Sequence, residues 1–167
     1  MTLSFRVYGV ASGMGSKRAF IPKGWTRPIV TDSNRSLKSW QALVAAAANK
    51  AIHAFPPGKD RALILGPVRL SLAFYFPRPK SLAKKLKANT GSVDLDKAVR
   101  AVGDALSGVV YHDDRQVVEL VAGKFYAAFE EAPHVDVRVE PTEGCEPVRA
   151  PAAPMPLFAL DISAGVR

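Results

Sequence analysis

The sequence predicts an α+β fold, a single domain with a mixed β-sheet and two helices packed on it. Three observations predict it. Two segments, around Val44 and Val102, repeat apolar residues at the spacing of an amphipathic helix. Four others read as strands, most clearly residues 68–76 and 134–140, where apolar and polar side chains alternate. Their order along the chain is β, α, β, α, β, β, which supplies a sheet and two helices to cover it. The connection lengths leave the strand order open.

The opening strand runs from Leu3 to Val10. Residues 11–35 follow with Gly, Ser, Pro22 and Pro28, the composition of a loop, and carry cations at Lys17, Arg18, Lys23, Arg27 and Arg35. Ser36 is placed to cap a helix whose stripe is Leu37, Trp40, Val44, Ala47, Ala48 and Ala51, and Pro56-Pro57-Gly58 stops it. In the next strand Val68, Leu70, Leu72, Phe74 and Phe76 share one face, and Arg69, Ser71 and Tyr75 the other. Pro77 and Pro79 end it. A basic connection over 78–90 holds Arg78, Lys80, Lys84, Lys85 and Lys87.

The second helix spans about Asp96 to Leu106, with Leu95, Ala98, Val99, Val102, Ala105 and Leu106 as its apolar stripe. Asp96, Lys97, Arg100 and Asp104 fall opposite, and Gly108 is placed to terminate it. Asp104 sits four residues after Arg100, the spacing of an ion pair on a helix surface. Gln116 to Tyr126 reads as a strand with a bulge at Gly123, and His134 to Glu140 as another. From Pro141 the chain is rich in Pro and Ala. The domain is therefore expected over 1–140, with a tail over 141–167 holding one short ordered piece around Pro156 to Ile162.

Composition narrows the function. The lone Cys145 excludes an intrachain disulfide and a four-thiolate metal site. No basic segment followed by an apolar run opens the chain, and no run of about 18 apolar residues exists. A soluble, intracellular protein is expected, with no membrane partner. The net charge of +8 is unevenly placed. Residues 1–90 hold 16 Lys and Arg against 2 Asp and Glu, whereas residues 91–167 hold 7 against 13. A basic half suits a polyanion such as nucleic acid, although a solvated surface explains the same bias without a ligand.

The acidic half concentrates its chemistry in Asp94-Leu95-Asp96 and Asp113-Asp114. In extended backbone, residues two apart point the same way, so Asp94 and Asp96 would project together while Leu95 turns inward. A helix folded back to a strand can bring Asp113 and Asp114 beside them. Grouped carboxylates stay ionised only with a cation among them. All-oxygen donors select Mg²⁺ or Mn²⁺, which activates water and stabilises charge on a phosphoryl group. Taken one at a time, Asp-x-Asp also reads as a helix cap with a solvated acid, and Asp-Asp as a turn.

The stretch Val93-Asp94-Leu95-Asp96-Lys97, Arg100-Ala101-Val102, Asp104 to Tyr111, Asp113-Asp114-Arg115-Gln116-Val117-Val118 and Lys124 closely resembles the core signature of RusA-type Holliday-junction resolvases, a family common in phages and prophages. The resemblance is dense over about 93–126. It is looser upstream, where an opening strand, a basic Pro-containing loop, a Trp-bearing helix and a strand ending Phe76-Pro77-Arg78-Pro79 are compatible; the tail after Glu140 is not covered. It implies essential carboxylates at Asp94, Asp96 and Asp114, with Asp113 adjacent as a further metal ligand. It also implies Mg²⁺ or Mn²⁺, a homodimer, and paired symmetric nicks across branched DNA such as a four-way junction.

One departure matters. The best-known members carry Asn after the second Asp and a catalytic Lys three residues later; here Lys97 and Arg100 stand at those places. Either supplies a cation for the phosphate, and Lys124 is another candidate. The expected DNA contacts are Lys17, Arg18, Lys23, Arg27, Arg78, Lys80 and Lys124. Trp25, in the basic loop, could stack on exposed bases, whereas Trp40 fits the core stripe. His112 reads as a turn residue, and His53 and His134 as surface residues. The rival function is a catalytically inactive, structure-selective DNA-binding protein of the same fold; a third is a phosphoesterase acting on a small phosphate.

Overall fold

The computed structural model describes residues 2–142 except 16, 33, 35, 55–62 and 84, and describes the backbone alone at 17, 18 and 30–32. The readings placed on Arg35, Pro56-Pro57-Gly58, Lys84, Cys145 and the tail piece around Pro156 to Ile162 lie outside the described residues. The chain forms β1 (Leu3–Tyr8), β2 (Lys17–Phe20), β3 (Ile29–Asp32), α1 (Leu37–His53), β4 (Val68–Phe76), α2 (Leu95–Leu106), β5 (Val117–Tyr126) and β6 (His134–Pro141).

The main sheet has the order β1-β6-β4-β5. β6 runs antiparallel to both β1 and β4, while β5 runs parallel to β4. The sheet is therefore mixed, as the sequence predicts. A parallel neighbour needs a crossover, and α2 provides it. Alternation decides which face is covered. Val68, Leu70, Leu72, Phe74 and Phe76 of β4, Val135, Val137 and Val139 of β6, and Leu3 and Val7 of β1 are all buried. They meet Leu37, Trp40, Val44, Ala48 and Ile52 of α1 and Ala98, Ala101, Val102, Ala105 and Leu106 of α2 in one core. Each fully buried large apolar side chain contributes about 1.5–3 kcal/mol, so this layer holds the fold together.

Four expectations are corrected. Residues 11–35 contain a two-stranded hairpin, β2 with β3, that is separate from the main sheet. Gly123 pairs with Ala73 in regular register; the shift lies between Val68 and Arg69. A side chain at Gly123 would instead strike the Phe125 ring, which lies over it. His134 is 1% exposed, stacked on Tyr75 with ring centroids 4.4 Å apart, and its Nδ1 faces the Ala132 carbonyl oxygen. Ser36 precedes α1 but makes no cap bond, because its hydroxyl bonds Asn34 Oδ1 at 2.7 Å. Gly108 behaves as expected: it follows the C-cap Ser107 at φ +73°, where a β-carbon is strained.

Candidate active site

Two chain segments flank one cleft between α2 and β5. The first is the start of α2. Asp94 sits at the N-cap position with ψ 136°, and the helix begins at Leu95. The extended-backbone pairing of Asp94 with Asp96 therefore stops at the helix boundary, and the two carboxylates diverge. Asp94 accepts a 2.6 Å bond from Lys97 Nζ on the next turn. That bond holds its carboxyl below the usual range, with the Lys124 charge acting in the same direction. Asp96 turns instead into a cleft of about 600 Å³ that it lines with Arg100, Asp114 and an apolar wall including Leu95, Val99, Val117 and Leu120.

The second segment is a single 3-10 turn, Asp114–Gln116, leading into β5. Asp113 caps it. Its carboxylate accepts from the Arg115 backbone at 2.9 Å and from the Arg115 guanidinium at 2.9 and 3.0 Å. These bonds hold the Asp113 carboxyl well below the ordinary carboxylate range. Gln116 closes the other half of the capping box, taking the Asp113 N–H at 3.0 Å, while its amide donates to the Ile64 and Gly66 carbonyls at 2.8 Å each. Asp113 thus fixes the turn that presents Asp114.

The cleft carries uncompensated negative charge. Partial burial raises the Asp104 carboxyl above its ordinary value, and the Asp114 charge raises it further; Arg100 only opposes this. The buried Tyr111 phenol is pushed up by burial first and by Asp114 and Asp104 after it. The helix-surface ion pair expected between Arg100 and Asp104 is replaced by this longer-range attraction. Among the described residues no three His, Cys, Asp or Glu side chains converge as a metal-binding group. The donor set nevertheless fits a hard cation: all oxygen, with Asp96 and Asp114 on one cleft, Asp94 beside it, and a net negative field.

The cations occupy different settings. Lys23 and Arg27 are exposed on the bend of the β2–β3 hairpin beside Trp25, which is 61% exposed, and Lys80 is exposed beyond β4. Lys17 and Arg18 lie in β2, paired with Asp32 and Thr31. Arg78 and Lys124 are bound to protein. The Arg78 guanidinium donates to the Ala127, Ala83 and Leu86 carbonyls and lies 5.5 Å from the Tyr126 ring centre. Lys124 Nζ donates to the Val93 carbonyl at 2.8 Å. Lys97 is held by Asp94, which leaves Arg100 as the cation on the cleft wall. Trp40 is core at 3% exposure.

Sequence reasoning passed over Asn89 and Gly13. Asn89 Oδ1 accepts from the Gly91 and Ser92 amides at 3.1 and 3.0 Å, an Asx turn before Asp94 that Asn-Thr-Gly-Ser composition signals. A β-carbon on Gly13 would strike Val93 Cγ1 and come within 3.0 Å of Lys97 Cβ. Nothing local in the sequence signals that approach.

Fold and cleft together define a small α+β protein whose crossover lines one cleft with Asp96, Arg100 and Asp114, within a basic chain. The model of the family described as endodeoxyribonuclease RusA matches residues 14–140, and the chain belongs to that family. It is also 33% identical over 147 residues to the uncharacterized protein YqaN of Bacillus subtilis (strain 168), covering 82% of this chain and 94% of that protein. No helix among the described residues is long and apolar enough to cross a membrane.

Proposed function

We propose that this chain is a Mg²⁺- or Mn²⁺-dependent endodeoxyribonuclease that resolves four-way junctions and other branched DNA in recombination and repair, acting as a homodimer. The observation that carries this reading is the shared cleft of Asp96, Arg100 and Asp114, on a chain of the RusA family. Asp94, Asp96 and Asp114 are the metal ligands in this reading. A bound divalent ion would lower the pKa of a water and neutralise charge on the scissile phosphate. Arg100 faces the same cleft and binds a phosphate oxygen through its planar fork, standing in for the family lysine. Asp113 acts through Asp114, by holding its turn. The exposed hairpin cations Lys23 and Arg27, with Lys80, grip the duplex arms. Two cuts resolve a junction, and a twofold dimer would present two copies of this cleft to two equivalent strands, so it suits the task.

A cruciform plasmid tests all of this at once. With Mg²⁺, the wild type should linearise it by paired cuts; with EDTA it should not cut. Asp114→Asn should abolish cutting while keeping or tightening junction binding, since it removes a negative charge beside phosphates. Cutting by Asp114→Asn at the wild-type rate refutes the metal assignment. Accumulation of open circles by a monomeric wild type refutes the dimer. Binding without cutting by the wild type marks a structure-selective DNA-binding protein instead.

A further inference from the structure

Lys124 is part-buried, on the helix-covered face of β5 opposite Phe74. Its ammonium is directed at the carbonyl of Val93, the residue before Asp94, at 2.8 Å. The Lys124 backbone is committed to the same segment: its carbonyl accepts the Asn89 N–H at 3.1 Å. Asn89 is 4% exposed, and its Oδ1 ties down the Gly91 and Ser92 amides. One residue of β5 thus grips the loop 89–93 at both ends. On the far side, Gly13 closes against Val93 and Lys97, and the Met14 N–H donates to the Lys97 carbonyl at 3.1 Å.

We propose that Lys124 is a positioning residue, whose ammonium bond to the Val93 carbonyl fixes the loop that delivers Asp94 and Asp96 to the cleft. This rests on the nuclease reading above. A charge-assisted bond to a carbonyl is stronger than a neutral one. Losing it would free Val93, and with it the backbone that carries Asp94 and leads into Asp96. Lys124 then serves the metal site, not the DNA backbone.

The test compares Lys124→Met, which keeps the chain length without a donor, with Lys124→Arg, which restores one. Lys124→Met should bind Mn²⁺ about tenfold to a hundredfold more weakly, read by electron paramagnetic resonance without DNA, as loss of an outer-sphere partner does. Cleavage should need correspondingly more Mg²⁺, and Lys124→Arg should recover both. Junction affinity and its salt dependence in metal-free buffer should not move. Amide exchange at Gly91 and Ser92 should quicken in Lys124→Met while the rest of the sheet keeps its protection. A salt slope reduced by roughly one makes Lys124 a phosphate contact and overturns the proposal. Unchanged Mn²⁺ affinity overturns it too, whatever the exchange result. A wild type that binds Mn²⁺ but never cuts refutes the nuclease reading and leaves the positioning role measurable by Mn²⁺ affinity and exchange. A wild type that binds no Mn²⁺ refutes both.

Discussion

The salt dependence of junction binding is the sharpest test of the β2–β3 hairpin. Lys23 and Arg27 are exposed on its bend, away from the main sheet, so replacing both with Gln removes two charges without touching the core. Each phosphate contact releases counterions and adds about 0.9 to the slope of log K against log salt. Two lost contacts should flatten that slope by about 1.8. Raising salt from about 50 to about 200 mM should then weaken the wild type roughly twelvefold more than the double variant. The assay is fluorescence anisotropy of a labelled four-way junction in metal-free buffer, which blocks cutting in the proposed mechanism. Thermal melting of the variant should match the wild type. A slope unchanged within error would mean the hairpin faces away from DNA and that the basic half of the chain is a solubility device.

Two further predictions concern the scaffold of the cleft. Tyr111 is wholly buried and donates to the Gly103 carbonyl at 3.0 Å, so Tyr111→Phe should lower stability by about 1 kcal/mol, read as a lower urea midpoint at constant slope. Asp104→Asn should raise the melting temperature at neutral pH. The native Asp104 carboxyl is raised, so ionising it costs stability as pH climbs past its unfolded value, in full above the folded one, and the gain should vanish in acid where both states are protonated.

Much of the fold is legible where burial imposes a period. β4 has one buried and one partly open face, so its bounds and orientation follow from alternation alone. α2 has a narrow apolar stripe with charges opposite, and its end falls at Leu106 as read. The β2–β3 hairpin is not legible, because Lys17–Phe20 and Ile29–Asp32 show no regular alternation of apolar and polar residues and the Gly and Pro residues between them speak for a loop. His134 heads a strand whose other buried residues are valines, and its cover comes from Tyr8 and Tyr75, which are distant in sequence. The acids stand out in the sequence, but not which of them share the cleft: Asp96 and Asp114 line it, while Asp94 bonds Lys97 and Asp113 bonds Arg115. Asp113 differs from Asp114 only through Arg115 and Gln116, and Lys124 reaches a carbonyl 31 residues away. Bonds to distant backbone leave no mark in local composition, and they are what separates a brace from a DNA contact.

On the proposed assignment, the crossover also sets when activity begins. Asp96 belongs to the front of α2 and Asp114 to the front of β5, on either side of the turn at Gly108. Neither a finished helix nor a finished strand makes the cleft; β5 must first align beside β4. That alignment is a non-local, parallel pairing, the slow kind to form. β4 is in turn flanked by β6, which is synthesised last of the sheet strands. A nascent or partly folded chain would carry all its acids and cut nothing, so a nuclease built this way is inert until its sheet is complete. Activity and tertiary structure should accordingly disappear in a single step on denaturation.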